Sequence, residues 1–305
     1  MAADGSTKVV VAALVCNGLI AVSKFVAASI TGSAAMLSEA LHSVADTSNQ
    51  GLLLFGMRRA RRPADARHPF GYSKELYFWS FVVAILLFSM GAGVSLYEGV
   101  QKLMHPHPIE HAIVNYVVLS VAIVFELVST YVALREFNAQ RGELGPLAAL
   151  RSSKDPALFT VVLEDLAALI GLIIALAGIL AADQLGWAPG DAVASIAIGV
   201  LLAGVAAFMS WETKSLLIGE AASAEVVEGV RRLIEAEAAA SGVIKRVHTI
   251  RTMHLGPQDV LLTVRIDFED TVSAARVEGI VGELERAIKA RFPEIRQLFL
   301  ATKGE

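Results

Sequence analysis

Cysteine is nearly absent. Cys16 is the single one in 305 residues and lies in an apolar run, so neither a disulfide framework nor a thiolate metal cluster can be built within the chain. Its expected role is packing. Charge is scarce as well: 18% of residues are charged against 55% hydrophobic, a balance too apolar for an ordinary soluble domain. The net charge of -4 gives no basis for a nucleic-acid partner, and the basic residues gather in loops instead of forming a binding face. No HExxH pair occurs, which excludes an intramembrane metalloprotease of that type, and no enzyme is expected. Met1 to Thr7 is short and polar, and the apolar run after it has no small-residue cleavage pattern. That run is expected to be a first span, not a signal peptide.

Long apolar runs are what the chain does contain. Six are near the length a membrane crossing needs: Lys8 to Ile30, Ser33 to Gly56, Leu76 to Leu103, Ala112 to Leu134, Pro156 to Ala182 and Pro189 to Trp211. An even number of crossings leaves both ends on one side. Arg58, Arg59, Arg61, Arg62, Arg67 and Lys74 lie between runs two and three, and Arg135, Arg141, Arg151 and Lys154 between four and five; the opposite loops hold Lys102 and little else. The positive-inside rule then predicts cytoplasmic termini. The Ala/Arg-rich composition suggests a bacterial inner membrane, with an organelle membrane as the second choice.

The second run is interrupted by Ser38 to Gln50, which carries Glu39, His42, Asp46, Asn49 and Gln50. A charge near the bilayer centre costs roughly 2.5 to 3.5 kcal/mol even on lenient scales, so such residues normally face a bundle interior and mark an ion pathway. His42, Asp46 and Asn49 stand at i, i+4 and i+7, one row on one helix face. That row has the composition of half a metal site. The plain alternative is interhelical hydrogen bonding.

A second acidic position occurs on the fifth run, where Glu164 and Asp165 are adjacent. At about 1.5 Å per residue, His42 and Asp165 each lie roughly 14 Å from opposite ends of their helices, so both reach the midplane. Antiparallel helices presenting acids at one depth favour a shared cation site. An imidazole from His42, carboxylates from Asp46 and Asp165, and an amide or water suit zinc first; the carboxylates also admit manganese, iron or cobalt. With the metal gone, two close negative charges would remain in a poor solvent, so metal and protons should compete. Glu164 is rotated by about 100° from Asp165 and reads as a proton carrier, an alternative ligand or a group paired elsewhere.

Other polar groups have plainer readings. Glu126 is expected to line a vestibule or to bond Asn17 or Ser129, and Lys24 to snorkel toward the outer surface. His105 and His107 read as solvated. Asp65 and His68 suit loop packing better than a metal. His248 and His254 share a strand face but are about 20 Å apart at strand rise, too far for one ion.

After Trp211 the composition shifts. Val226, Val230, Leu233 and Ile234 have helical spacing within Glu225 to Ala240; Val247 to Leu255 and Asp259 to Phe268 read as a hairpin around Gly256-Pro257-Gln258. Helix Ala274 to Arg291 and strand Ile295 to Thr302 complete an αββαβ module. The expected architecture is an α-helical membrane bundle of six transmembrane helices over 1–212 and a cytoplasmic α+β domain, ferredoxin-like, over 213–305. A sheet covered on one face only would use the other to dimerise.

The stretches GSAAMLSEALHSVADTSNQG, RRPADARHPFGYSKELYFWSF, LEDLAALIG and HTIRTMHLGPQDVLLTVRIDF, in that order, resemble the cation diffusion facilitator family, in its zinc transporter 9-like branch. The resemblance covers Val9 to Thr302 and implies a homodimeric antiporter in the lipid bilayer that exchanges a divalent metal for protons, with a metallochaperone-like cytoplasmic domain. It assigns His42, Asp46 and Asp165 as metal ligands. Val161 stands where the family has a further ligand, leaving Asn49, Glu164 or water to replace it. Tyr72 replaces a loop histidine, and His248 alone remains of a cytoplasmic metal site, so no regulatory metal is expected there. The competing expectation is a membrane scaffold or metal-responsive interaction protein that no longer transports.

Overall fold

The computed structural model describes residues 2–31, 34–105 and 112–302, with side chains from residue 6 onward except at 27, 28, 30, 31, 34–42, 45 and 112. The chain divides into two compact units, Met1–Arg61 with Glu75–Lys214, and Arg62–Lys74 with Ser215–Glu305.

The first unit is helical. It contains α1 (Ala2–Thr31), α2 (Ala34–Ala60), α3 (Glu75–Leu86), α4 (Gly93–Met104), α5 (Ala112–Arg141), the short α6 (Pro146–Ser152), α7 (Pro156–Asp183) and most of α8 (Gly190–Ile218). Among the described residues five helical stretches are long and apolar enough to cross a membrane: Ser6–Val26, Glu75–Met104, Ile113–Arg141, Pro156–Asp183 and Gly190–Ile218. The polar α2 is not one of them, and its side-chain chemistry is the reason. The third run is not a single regular helix; a π-helical turn, Leu87–Ala92, separates α3 from α4. Such turns usually sit where packing or function asks for an extra residue.

The interior of this unit is built from Val9, Val10 and Ala13 of α1, Leu53 of α2, Val83 and Ala84 of α3, and Leu158, Val161 and Val162 of α7, all but fully buried. Val15, Val22, Phe88, Val117, Val124, Ile173 and Val200 remain outward, as expected of helices that meet lipid tails. Glycine permits the close crossing of α7 on α8: a Cβ on Gly178 of α7 would lie 2.4 Å from the Ala194 Cβ and 2.8 Å from the Gly190 carbonyl of α8. Helix α7 starts firmly. Pro156 occupies its first position, and the Asp155 carboxylate caps it by accepting from the Ala157 and Leu158 amides. Ser6 of α1 donates to the same carboxylate.

The second unit has α9 (Ala224–Ser241), β1 (Ile244–Gly256), β2 (Asp259–Phe268), α10 (Ala274–Arg291) and β3 (Ile295–Thr302). The sheet order is β1-β2-β3, with β1/β2 antiparallel and β2/β3 parallel. Alternation on β2 is as the sequence implies: Val260, Leu262, Val264 and Ile266 are buried against Val230 and Ile234 of α9 and Ile280, Leu284 and Ile288 of α10. Gly242, at φ 64°, ends α9 in the left-handed region that glycine tolerates.

Arg62–Lys74 folds with this unit. Ser73 Oγ donates to Asp259 Oδ2 at 2.7 Å, and Phe70 meets Phe299 edge-on at 6.4 Å. Phe299 pairs with Thr263 across the parallel ladder, so it lies on the sheet face away from the helices. Part of that face is thus met by the chain's own loop.

Candidate metal centre in the helical unit

Four helices bring the polar groups together. Asp46, Asn49 and Gln50 come from α2, Glu126 and Ser129 from α5, Glu164 and Asp165 from α7, and Lys24 from α1. Asn49, Gln50, Glu126, Ser129, Glu164, Asp165 and Lys24 are buried, and Asp46 is half-buried. The carboxylates of Asp46, Glu126, Glu164 and Asp165 are close enough to act on one another electrostatically. The His42 side chain lies outside the described residues, as does that of His107.

Adjacent acids on α7 take different partners, as their rotation about the helix axis requires. Glu164 faces α2, accepting from Asn49 Nδ2 and Gln50 Nε2, each at 3.2 Å. Asp165 faces α5, where Ser129 Oγ donates to its Oδ2 at 2.6 Å. Both oxygens of Glu164 are therefore engaged by amides. Glu126 differs: its Oε2 is buried and has no hydrogen-bond partner among the described residues. Among the described residues, no three His, Cys, Asp or Glu side chains stand together at metal-holding distance. The carboxylates share an interior without converging on one point.

Several expectations change. Lys24 does not reach toward an outer surface; it is buried and donates to Ser43 Oγ at 2.9 Å, within electrostatic reach of Glu126. Ser129, expected as a partner of Glu126, serves Asp165 instead. Cys16 packs, but it packs facing the charges of Asp165 and Glu126. Val161 is wholly buried among apolar neighbours and offers no ligand. Gln50 was visible in the sequence only as one more polar residue in the run; its pairing with Glu164 depends on how α2 and α7 face each other.

In the second unit, Asp65 is used by its own loop. Its Oδ1 accepts from the Arg67 and His68 amides at 2.9 and 2.7 Å, and its Oδ2 accepts from the Tyr72 hydroxyl at 2.7 Å. Chiefly through that Tyr72 bond, the Asp65 carboxyl is held below the usual carboxylate range. His68 leans on the Tyr72 ring at 4.3 Å, so loop packing accounts for the group. His254 is buried, with Nδ1 3.1 Å from the Gly256 carbonyl.

The family described as cation efflux transmembrane domain matches residues 10–218. The chain is 33% identical over 306 residues to the human proton-coupled zinc antiporter SLC30A9, mitochondrial, covering 99% of this chain and 53% of that protein. It is 32% identical over 265 residues to metal tolerance protein C4 of Arabidopsis thaliana, covering 86% of this chain and 57% of that one. It is also 26% identical over 264 residues to the cation-efflux pump FieF of Klebsiella pneumoniae, covering 86% and 81%. The chain thus spans about half the length of the first two. The mitochondrial name of the human relative overturns the bacterial inner membrane expected from composition; a multi-pass membrane protein still fits. Loop charge orients helices relative to an inner compartment but carries no address for a particular membrane.

Proposed function

Because the chain belongs to the cation efflux family, we propose that it is a membrane transporter that moves a divalent metal, zinc first, in exchange for protons. One observation carries this reading: acids from α2 and α7 share a buried polar interior with amide and hydroxyl partners, in helices otherwise packed with aliphatic side chains. Buried ionisable groups in membrane helices are costly and rarely kept without a pathway to serve.

In this proposal α2 is the sixth crossing, its polar face turned inward. Asp46 and Asp165, with His42, hold the metal as cargo. Two carboxylates neutralise a dication, which lowers the cost of carrying it through a poor solvent. Metal and protons compete for the same oxygens, so loss of one accompanies gain of the other. Glu164, turned toward the α2 amides, is assigned the proton side of the exchange. The chain works as a homodimer through the unit that contains the sheet.

Purified protein in proteoliposomes with an imposed pH gradient tests this. Zinc flux that rises with the gradient and vanishes in Asp46→Asn and in Asp165→Asn is expected. A folded wild-type protein with no metal flux under any gradient would leave the scaffold reading in its stead.

A further inference from the structure

Three acids lie within reach of Asp165, and their oxygens are not in equal condition. Glu164 has both oxygens on amide donors, at 3.2 Å each. Asp46 carries its own interactions. Glu126, 6% exposed, has an Oε2 with no hydrogen-bond partner among the described residues. A buried acceptor left unsatisfied is costly, so its persistence asks for a ligand.

Its direction is fixed by α5. Glu126 stands three residues before Ser129, and positions i and i+3 lie on one helix face. Ser129 Oγ touches Asp165 at 2.6 Å, so that face is the one turned to the acid of α7. The charged and titratable groups acting on Glu126 are Asp165 and Glu164 of α7, Asp46 of α2, Lys24 of α1 and, more weakly, Cys16 of α1.

We propose that Glu126 is a ligand of the transported cation, supplying from α5 the oxygen that the apolar Val161 of α7 does not. The proposal rests on the transport reading above and adds to it a third helix that grips the ion. Charge supports the assignment. A dication held by Asp46, Asp165 and Glu126 would carry one excess negative charge, and the buried Lys24 offsets it, so with Glu164 protonated the loaded interior is neutral overall. Ligation would require these carboxylates, which do not stand together at metal-holding distance among the described residues, to close on the ion. An oxygen-rich set of this kind also moves preference toward harder ions than a histidine at the Val161 position would.

Zinc and manganese binding by the full chain in detergent, measured by calorimetry, tests the assignment with Glu126→Gln, Glu126→His and Cys16→Ala. Glu126→Gln should weaken zinc binding about tenfold or more, the scale on which even outer partners of a metal act. Glu126→His should keep zinc binding while losing manganese, a selectivity change that a residue with only a packing role would not produce. Unchanged zinc affinity in Glu126→Gln, or a loss confined to Cys16→Ala, overturns the proposal. Asp46→Asn and Asp165→Asn separate the two levels: if they also bind like the wild type, the transport site itself is wrong, whereas if they alone fail, Glu126 is no ligand.

Discussion

Ser129 of α5 donates its hydroxyl to Asp165 of α7 at 2.6 Å inside the helical unit. One Asp165 oxygen is thereby fixed in place. Ser129→Ala removes the donor without adding bulk. Interhelical bonds of this kind average about 0.6 kcal/mol in membrane bundles, so the variant should fold and lose little stability. Its metal affinity should fall about 10- to 100-fold, because the carboxylate is no longer oriented. Titration calorimetry alongside thermal unfolding in detergent separates the two effects, and wild-type affinity would show that the bond does not orient a ligand.

The loop of the second unit gives a prediction with a defined pH sign. Tyr72 holds the Asp65 carboxyl below its ordinary range. A depressed carboxylate stabilises its loop above the unfolded value, near 3.9 for aspartate, and that contribution is lost as pH falls through the lower folded value. Tyr72→Phe should raise the Asp65 midpoint back toward the ordinary value, so that the loop loosens at a less acidic pH than in the wild type. Carboxyl chemical shifts followed through an acid titration report both midpoints. Identical midpoints would mean that the backbone amides of Arg67 and His68 alone set the value.

Packing of α7 on α8 depends on Gly178. A methyl there would meet the Ala194 Cβ at 2.4 Å and the Gly190 carbonyl at 2.8 Å, and backbone cannot swing aside. Gly178→Ala should therefore cost roughly 1 to 3 kcal/mol, the range for inserting a methylene into a filled interior. A lower unfolding temperature in detergent is expected, with metal affinity at the acids largely kept. An unchanged unfolding temperature would mean that the two helices can separate at no cost.

Periodicity made most of the second unit legible in advance. Strand β2, helix α10 and strand β3 have the bounds that alternation and helical spacing imply, because side chains at Val260, Leu262, Val264 and Ile266 can be buried on one face only. The acids of α2 and α7 were equally legible, since a carboxylate in an apolar run announces itself by its cost. What stayed hidden depends on rotation and depth between helices. Lys24 read as a snorkelling residue because sequence does not reveal that Ser43 stands beside it. Glu126 read as a vestibule residue or a partner of Asn17 or Ser129, because sequence does not reveal that Ser129 is given to Asp165 while Glu126 Oε2 has no hydrogen bond among the described residues. The π-helical turn at Leu87–Ala92 leaves no periodic trace in the sequence.

Glu164 accepts from two amides, and its replacements separate a satisfied acceptor from a metal ligand. Glu164→Leu strands both Asn49 Nδ2 and Gln50 Nε2, each a buried donor whose loss of partner costs on the order of 1 to 3 kcal/mol. That variant should be markedly less stable. Glu164→Gln keeps the shape and one acceptor; its amide group would oppose one donor, but Gln50 Oε1 is buried without a partner, and a half-turn of the Gln50 amide presents that oxygen to the new donor. Stability should therefore stay close to wild type. Metal affinity should also stay within about tenfold, a window of 1.4 kcal/mol, because both Glu164 oxygens are turned to the α2 amides. Flux should lose part of its dependence on pH, since an amide takes up no proton. Calorimetry with zinc across a range of pH decides the matter: a large loss of affinity at every pH would mean that Glu164 lets go of its amides to fill the position Val161 leaves apolar.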